Sequence, residues 1–181
     1  MYIVIDESGI HKQDGKSVIA LVYIETNNLA KLEVLVTQTE EDLEIKPFHW
    51  AHTNWKVREK FISAITRGQF NIKLAIIPNP VKIDASMEEA LRHLIVEKHI
   101  NQILIDGSKP KSYSRKLKKI LRDKGVSVKK LRTINDQSSP AMRVADAVAG
   151  ITRYHSEKPD NQQIKPLYKK IKPKIEIIIQ L

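Results

Sequence analysis

The sequence predicts an α/β domain built on a mixed β-sheet flanked by helices. Three observations carry this. Two β-type runs, "YIVID" and "SVIALVYI", stand at the start with a polar link between them. Helical and strand-like patterns then alternate along the chain. One of the later strands, "NQILIDG", is a continuous apolar run of the kind buried on both faces of a sheet.

The first two runs are rich in Val and Ile and read as adjacent antiparallel strands joined by "GIHKQDGK". "NNLAKLEVLVTQTEEDL" carries a helical stripe of Leu29, Leu32, Leu35 and Val36. "EIKPFHW" reads as extended, with Pro47 marking an edge or a break. "NWKVREKFISAITRG" is a helix, capped by Asn54, lined by Val57, Phe61, Ala64 and Ile65, and stopped by Gly68. "FNIKLAIIP" is a strand, and "SMEEALRHLIVEKH" a helix whose Ser86 and Glu89 fit a capping box.

After "NQILIDG" comes the helix "SYSRKLKKILRDKG", ended by Gly125, and then the strand "VSVKKLRTI". In "SSPAMRVADAVAGITRYH", Ser139 is the expected cap and Pro140 the first helical residue. Alternation in this half makes right-handed crossovers the expected connections. A polar, Pro-bearing stretch divides residues 1–155 from a basic extension, 156–181, which ends in "IEIIIQL". Such an apolar strand is adhesive if exposed. Burial on the sheet edge or in a homodimer would cover it.

Composition narrows the function classes. The 181 residues suffice to bury a core, and 41% are hydrophobic. The absence of cysteine excludes disulfides, Cys-based zinc or iron–sulfur sites and a thiol nucleophile. No apolar stretch reaches membrane-spanning length, so neither a membrane partner nor a signal peptide is expected, and a cytoplasmic location is. The net charge of +10 suits a polyanionic partner such as DNA or RNA.

Three aspartates are candidates for chemistry. Asp6 ends "IVID" and Asp106 ends "ILID", both at the carboxyl ends of sheet strands, where α/β folds place ligands. Asp146 sits in "RVADAVAG", on a small-residue helix face able to lie close to the sheet. Singly, the first two are good turn chemistry, because Ser8 and Gly9 follow Asp6 while Gly107 and Ser108 follow Asp106. Asp146 has Arg143 and Arg153 as alternative partners. If the three converge, their repulsion calls for a cation, and hard oxygen ligands suit Mg²⁺ or Mn²⁺. Such ions activate water and stabilise the leaving oxygen in phosphodiester cleavage.

"IDESG", "ILIDGS" and "DQSSPAMRVADAVAG" resemble the family called domain of unknown function 3800, within the ribonuclease H-like superfamily. The resemblance runs from Tyr2 to His155, and its most specific element is Ser138 or Ser139 followed by Ala145 to Gly150. It implies a ribonuclease H-like mixed sheet flanked by helices. It also implies an acidic cluster, here Asp6, Asp106 and Asp146, that binds divalent metal and cleaves nucleic acid. Nucleases of the superfamily add a glutamate after the third strand, and here that position is open between Glu44 and Glu59. Glu7 is a further candidate, although strand alternation points it away from Asp6.

His49 is a candidate ligand or proton shuttle, and "HWAH" sets it three residues from His52. Either histidine has Trp50 or Trp55 to pack against. Past Asp106 lie Lys109, Lys111, Arg115, Lys118, Lys119 and Arg122, and those from 111 onward recur at helical spacing opposite Leu117, Ile120 and Leu121. They are either a solvated face or phosphate contacts beside the acidic cluster. The leading expectation is a divalent-metal-dependent nuclease. The alternative is a catalytically silent nucleic-acid-binding or assembly module on the same fold. An enzyme acting on a phosphorylated small molecule ranks third, because no Gly-rich phosphate loop is present.

Overall fold

A computed structural model describes residues 1–11, 15–134 and 138–181, with the side chain of Asp84 left aside. Residues 12–14 of the polar link, and Asp136 and Gln137 of the late motif, lie outside the described residues. The strands are β1 (Tyr2–Ser8), β2 (Val18–Thr26), β3 (Asn71–Pro78), β4 (His99–Asp106), β5 (Ser127–Ile134) and β6 (Ile175–Gln180). The helices are α1 (Leu29–Asp42), α2 (Trp55–Ile65), α3 (Ile83–Leu94), α4 (Lys111–Asp123), α5 (Pro140–Glu157) and α6 (Ile164–Ile171).

The sheet order is β5-β4-β1-β2-β3-β6. β2 pairs antiparallel with β1 and β3, while β4 joins β1, β5 joins β4 and β6 joins β3 in parallel. The mixed sheet is therefore the predicted one. Its strands alternate between two cores. Val4, Val22, Leu74 and Leu104 pack under α1, α2, α5 and α6. Ile3, Ile5, Leu21, Ile103 and Ile105 pack under α3 and α4.

Local chemistry explains most boundaries. Asn54 caps α2 by accepting from Val57 N–H at 3.0 Å. Gly125 takes the left-handed φ of +74° that ends α4, and Val126 N–H closes the turn on the Leu121 carbonyl at 2.9 Å.

Two expectations are corrected. Ser86 is no cap, because α3 already begins at Ile83 and the Ser86 N–H bonds to Lys82 O at 3.1 Å. The apolar series Ile83, Met87, Leu91 and Leu94 carries the helix back past it. "EIKPFHW" is not a strand but a turn, with Glu44 at φ 52°, followed by a 3-10 turn at Trp50–His52.

The C-terminal segment completes the same fold. Ile164, Leu167 and Ile171 of α6 join the core under α5. β6 is seated on β3 of its own chain, with Ile177 and Ile179 in the opposite core. No helix among the described residues is long and apolar enough to cross a membrane.

Candidate functional site

Asp6 is the fifth residue of β1, a strand whose odd-numbered residues face α3 and α4. Its side chain shares the face of Val4 and points to the α5 layer. β4 runs parallel to β1, with Ile105 level with Ile5, so Asp106 lies beside Asp6 on the same face. Gly107 then turns the chain at φ +79°, a conformation that favours glycine, and its N–H bonds to Ile134 O at 2.9 Å.

Asp146 comes from α5, which lies across β1 and β2. Its carboxylate Oδ2 accepts the Trp50 N–H at 2.7 Å. One turn further along, Gly150 leaves space for the Trp50 ring. A Cβ there would stand 2.2 Å from Trp50 Cγ. "ADAVAG" thus gives one helix face both the acceptor and the clearance that seat this tryptophan.

The Asp6 carboxyl is buried and feels the charges of the other two aspartates. Asp6 is 6% exposed and accepts the Glu7 N–H at 2.8 Å. Burial pushes its carboxyl well above the usual carboxylate range, and the charges of Asp146, Asp106 and Glu7 push the same way. The Glu7 N–H opposes them.

Around Asp146 the chain builds a cationic and aromatic frame. Arg58 donates from Nε and Nη2 to Trp50 O at 3.1 and 2.5 Å. Its guanidinium lies 4.2 Å from the Trp50 ring centre and 4.5 Å from that of Trp55. Burial lowers the Arg58 pKa, while the charge of Asp146 favours its protonated form.

His49 heads the 3-10 turn, accepts Ala51 N–H on Nδ1 at 3.2 Å and stacks on His52 at 4.5 Å. Arg58 is the cation that lies over both tryptophan rings. Sequence reasoning passed over Arg58, although its four-residue distance from Asn54 sets it on the first turns of a capped helix next to "HWAH".

The other candidates are spread more widely. Glu7 stays in strand geometry and faces the α3–α4 layer, where it pairs with Lys109. Burial raises its pKa, Lys109 lowers it, and the charge of Asp106 raises it. Glu44 is exposed in the turn after α1.

The glutamate that turns inward there is Glu40. It accepts Phe48 N–H at 2.7 Å and Arg143 Nη1 at 2.8 Å. Its position four residues after Val36, on the buried stripe of α1, was the available signal. Arg143 is thereby engaged with Glu40, and Ser139 takes the expected N-cap position of α5 with its hydroxyl donating to Glu33 Oε1 at 2.7 Å and not bonding the helix's own N–H groups.

Lys111, Arg115, Lys118 and Lys119 are exposed on α4, and Leu117 and Leu121 root that helix in the core on the far side of the sheet from Asp6 and Asp106. Among the described residues, no three or more His, Asp or Glu side chains are gathered closely enough to hold a metal ion. What the structure gives is a buried Asp6 that feels the like charges of Asp146 and Asp106, and the donor atoms of all three are hard carboxylate oxygens, the type that suits Mg²⁺ or Mn²⁺.

No family model matches the chain, so the resemblance to domain of unknown function 3800 has no such match behind it. No curated protein matches it either. Solved structures do resemble its fold. A chain of the PCNA:RNase HII complex from Archaeoglobus fulgidus matches with a TM-score of 0.61 and 18% identity, over 94% of this chain and 76% of that one. Ribonuclease H2 from Pyrococcus horikoshii OT3 matches with a TM-score of 0.50 and 16% identity, over 93% and 76%. At these identities the likeness is one of fold, and the fold is ribonuclease H-like.

Proposed function

We propose that this chain is a divalent-metal-dependent nuclease that hydrolyses phosphodiester bonds of DNA or RNA. The observation that carries the reading is the buried Asp6 carboxylate, opposed by the charges of Asp146 and Asp106 from two other elements. A charge buried among like charges is costly unless a cation neutralises the group. The ribonuclease H-like fold, the net charge of +10 and the likeness of "IDESG" and "ADAVAG" to domain of unknown function 3800 support the same reading.

In it, Asp6, Asp106 and Asp146 would hold Mg²⁺ or Mn²⁺. Such an ion, when bound, supplies Lewis acidity and an activated water. The chain's own residues set the frame. β1 and β4 present two carboxylates side by side, the Trp50 N–H orients Asp146, and Arg58 and His49 flank that turn.

Thermal unfolding during Mn²⁺ titration tests the proposal. A wild-type melting temperature that rises with Mn²⁺, and does not rise in Asp106→Asn, is the expected result. Equal responses in both would remove the metal centre.

A second reading has a specific observation in its favour. The acidic side chains are not gathered into a ligand set among the described residues, and Asp146 has a structural role at Trp50. A silent nucleic-acid-binding module on this fold would bind with strong salt dependence and without turnover.

A further inference from the structure

From Lys130 to Ile134 the even-numbered residues of β5 face the same side of the sheet as the aspartates, whereas Val128, earlier in the strand, packs in the core under α4. Register settles this. Lys130 is level with Gln102, Arg132 with Leu104 and Ile134 with Asp106. Leu104 and Ile134 belong to the core under α5, whereas Leu131 belongs to the core under α4. Lys130 and Arg132 therefore point to the α5 side. α5 lies over β1 and β2, two strands further in, and both cations are exposed on the edge strand.

Residues two apart on a strand are about 6.6 Å apart, and neighbouring strands about 4.8 Å. Arg132 thus stands one strand across and two residues back from Asp106, and Lys130 one further step away. The pair forms a short cationic rail leading to the acidic cluster. The more conspicuous lysines of α4 stand on the other layer, where Lys109 and Lys116 are engaged with Glu7 and Glu88.

We propose that Lys130 and Arg132 hold the sugar–phosphate backbone of the nucleic-acid strand that enters the acidic cluster. The ligand is taken from the nuclease reading above, whereas the surface follows from register and charge. Contacts of this kind fix the path of the strand and carry no sequence information.

The experiment measures binding of fluorescent single-stranded DNA and RNA oligonucleotides over a salt series, without divalent ion. Lys130→Gln/Arg132→Gln is expected to weaken binding about ten-fold or more at ~0.1 M salt and to reduce the log–log salt slope by about 1.4–1.8. A charge-matched Lys165→Gln/Lys169→Gln variant on α6 is expected to stay within about two-fold of wild type. Lys130→Arg/Arg132→Lys, which keeps both charges, is expected to retain binding.

Unchanged affinity and slope in the β5 double variant would overturn the proposal. So would a larger loss in Lys118→Gln/Lys119→Gln. Wild-type protein that binds no oligonucleotide overturns both this surface and the nuclease reading. A β5-dependent affinity together with cleavage that ignores Asp6→Asn breaks only the nuclease reading.

Discussion

Trp50 donates its backbone N–H to Asp146 Oδ2 at 2.7 Å, tying the 3-10 turn before α2 to the middle of α5. One bond thus gives Asp146 a structural task in addition to its proposed role as a metal ligand, and two substitutions separate the tasks. Asp146→Asn keeps an acceptor oxygen for Trp50 and loses the charge. Its unfolding free energy should stay within about 1 kcal/mol of wild type, with metal-dependent cleavage gone. Asp146→Ala also strands the Trp50 N–H and should cost about 1–3 kcal/mol in urea denaturation.

Gly150 is required by contact. An added Cβ would lie 2.2–2.4 Å from ring carbons of Trp50. Gly150→Ala should destabilise the protein by about 1–3 kcal/mol, the range for overpacked cores. Because Trp50 must move, the turn bearing His49 moves with it, and tryptophan fluorescence should shift. A variant with wild-type stability and emission would show that the helix and turn separate freely.

Much of the fold was legible because it rests on local rules. The alternation of "YIVIDES" already pointed Glu7 away from Asp6, and Asn54 was readable as a cap. The rest depends on long-range packing. The cationic face of α4 was visible, but the side of the sheet on which α4 lies is settled only by the crossover between β4 and β5. Likewise Lys130 and Arg132 look like any exposed strand lysine and arginine until register sets them level with Gln102 and Leu104, on the strand next to the one that ends in Asp106. Glu44 and Glu40 were hard to rank because a left-handed turn at Glu44 ends the helical pattern. The inward glutamate is identified by its partners, Phe48 and Arg143, which are distant in sequence.

A buried ion network braces the other end of the sheet. Lys73 is 3% exposed and pairs with Glu25 at 2.8 Å and with Glu97, which also accepts the Tyr23 hydroxyl at 2.5 Å. Lys73→Met leaves two carboxylates without their cation. The expected cost is about 3–5 kcal/mol in chemical denaturation, the range for a broken buried pair. Oligonucleotide affinity of the folded variant should be unchanged, because this network lies on the α3 side of the sheet. A loss below about 1 kcal/mol would contradict the bracing role.

His155 gives the stability a pH dependence. Its ring stacks on Tyr168 at 3.9 Å, and its Nδ1 is buried with no hydrogen-bond partner among the described residues. Burial lowers its pKa, and the Lys165 charge adds to this. Above the unfolded value of about 6.5, the ring is neutral in both states and its full contribution to stability is present. As pH falls, the unfolded chain takes up the proton first, and stability declines until the folded ring titrates. His155→Gln should flatten this part of the curve between about pH 7 and 5, read from urea midpoints. Parallel curves for the two proteins would contradict it.

The central claim is that Asp6, Asp106 and Asp146 serve metal-dependent cleavage of a nucleic-acid backbone. Its most direct test is the Mn²⁺-dependent cleavage of labelled DNA, RNA and DNA–RNA hybrid oligonucleotides by wild type and Asp6→Asn. The account predicts cleavage by wild type that stops on chelation and falls about 100-fold or more in Asp6→Asn, a loss of about 2.7 kcal/mol or more in transition-state stabilisation. Cleavage by Asp6→Asn at the wild-type rate, or cleavage indifferent to Mn²⁺, would contradict it.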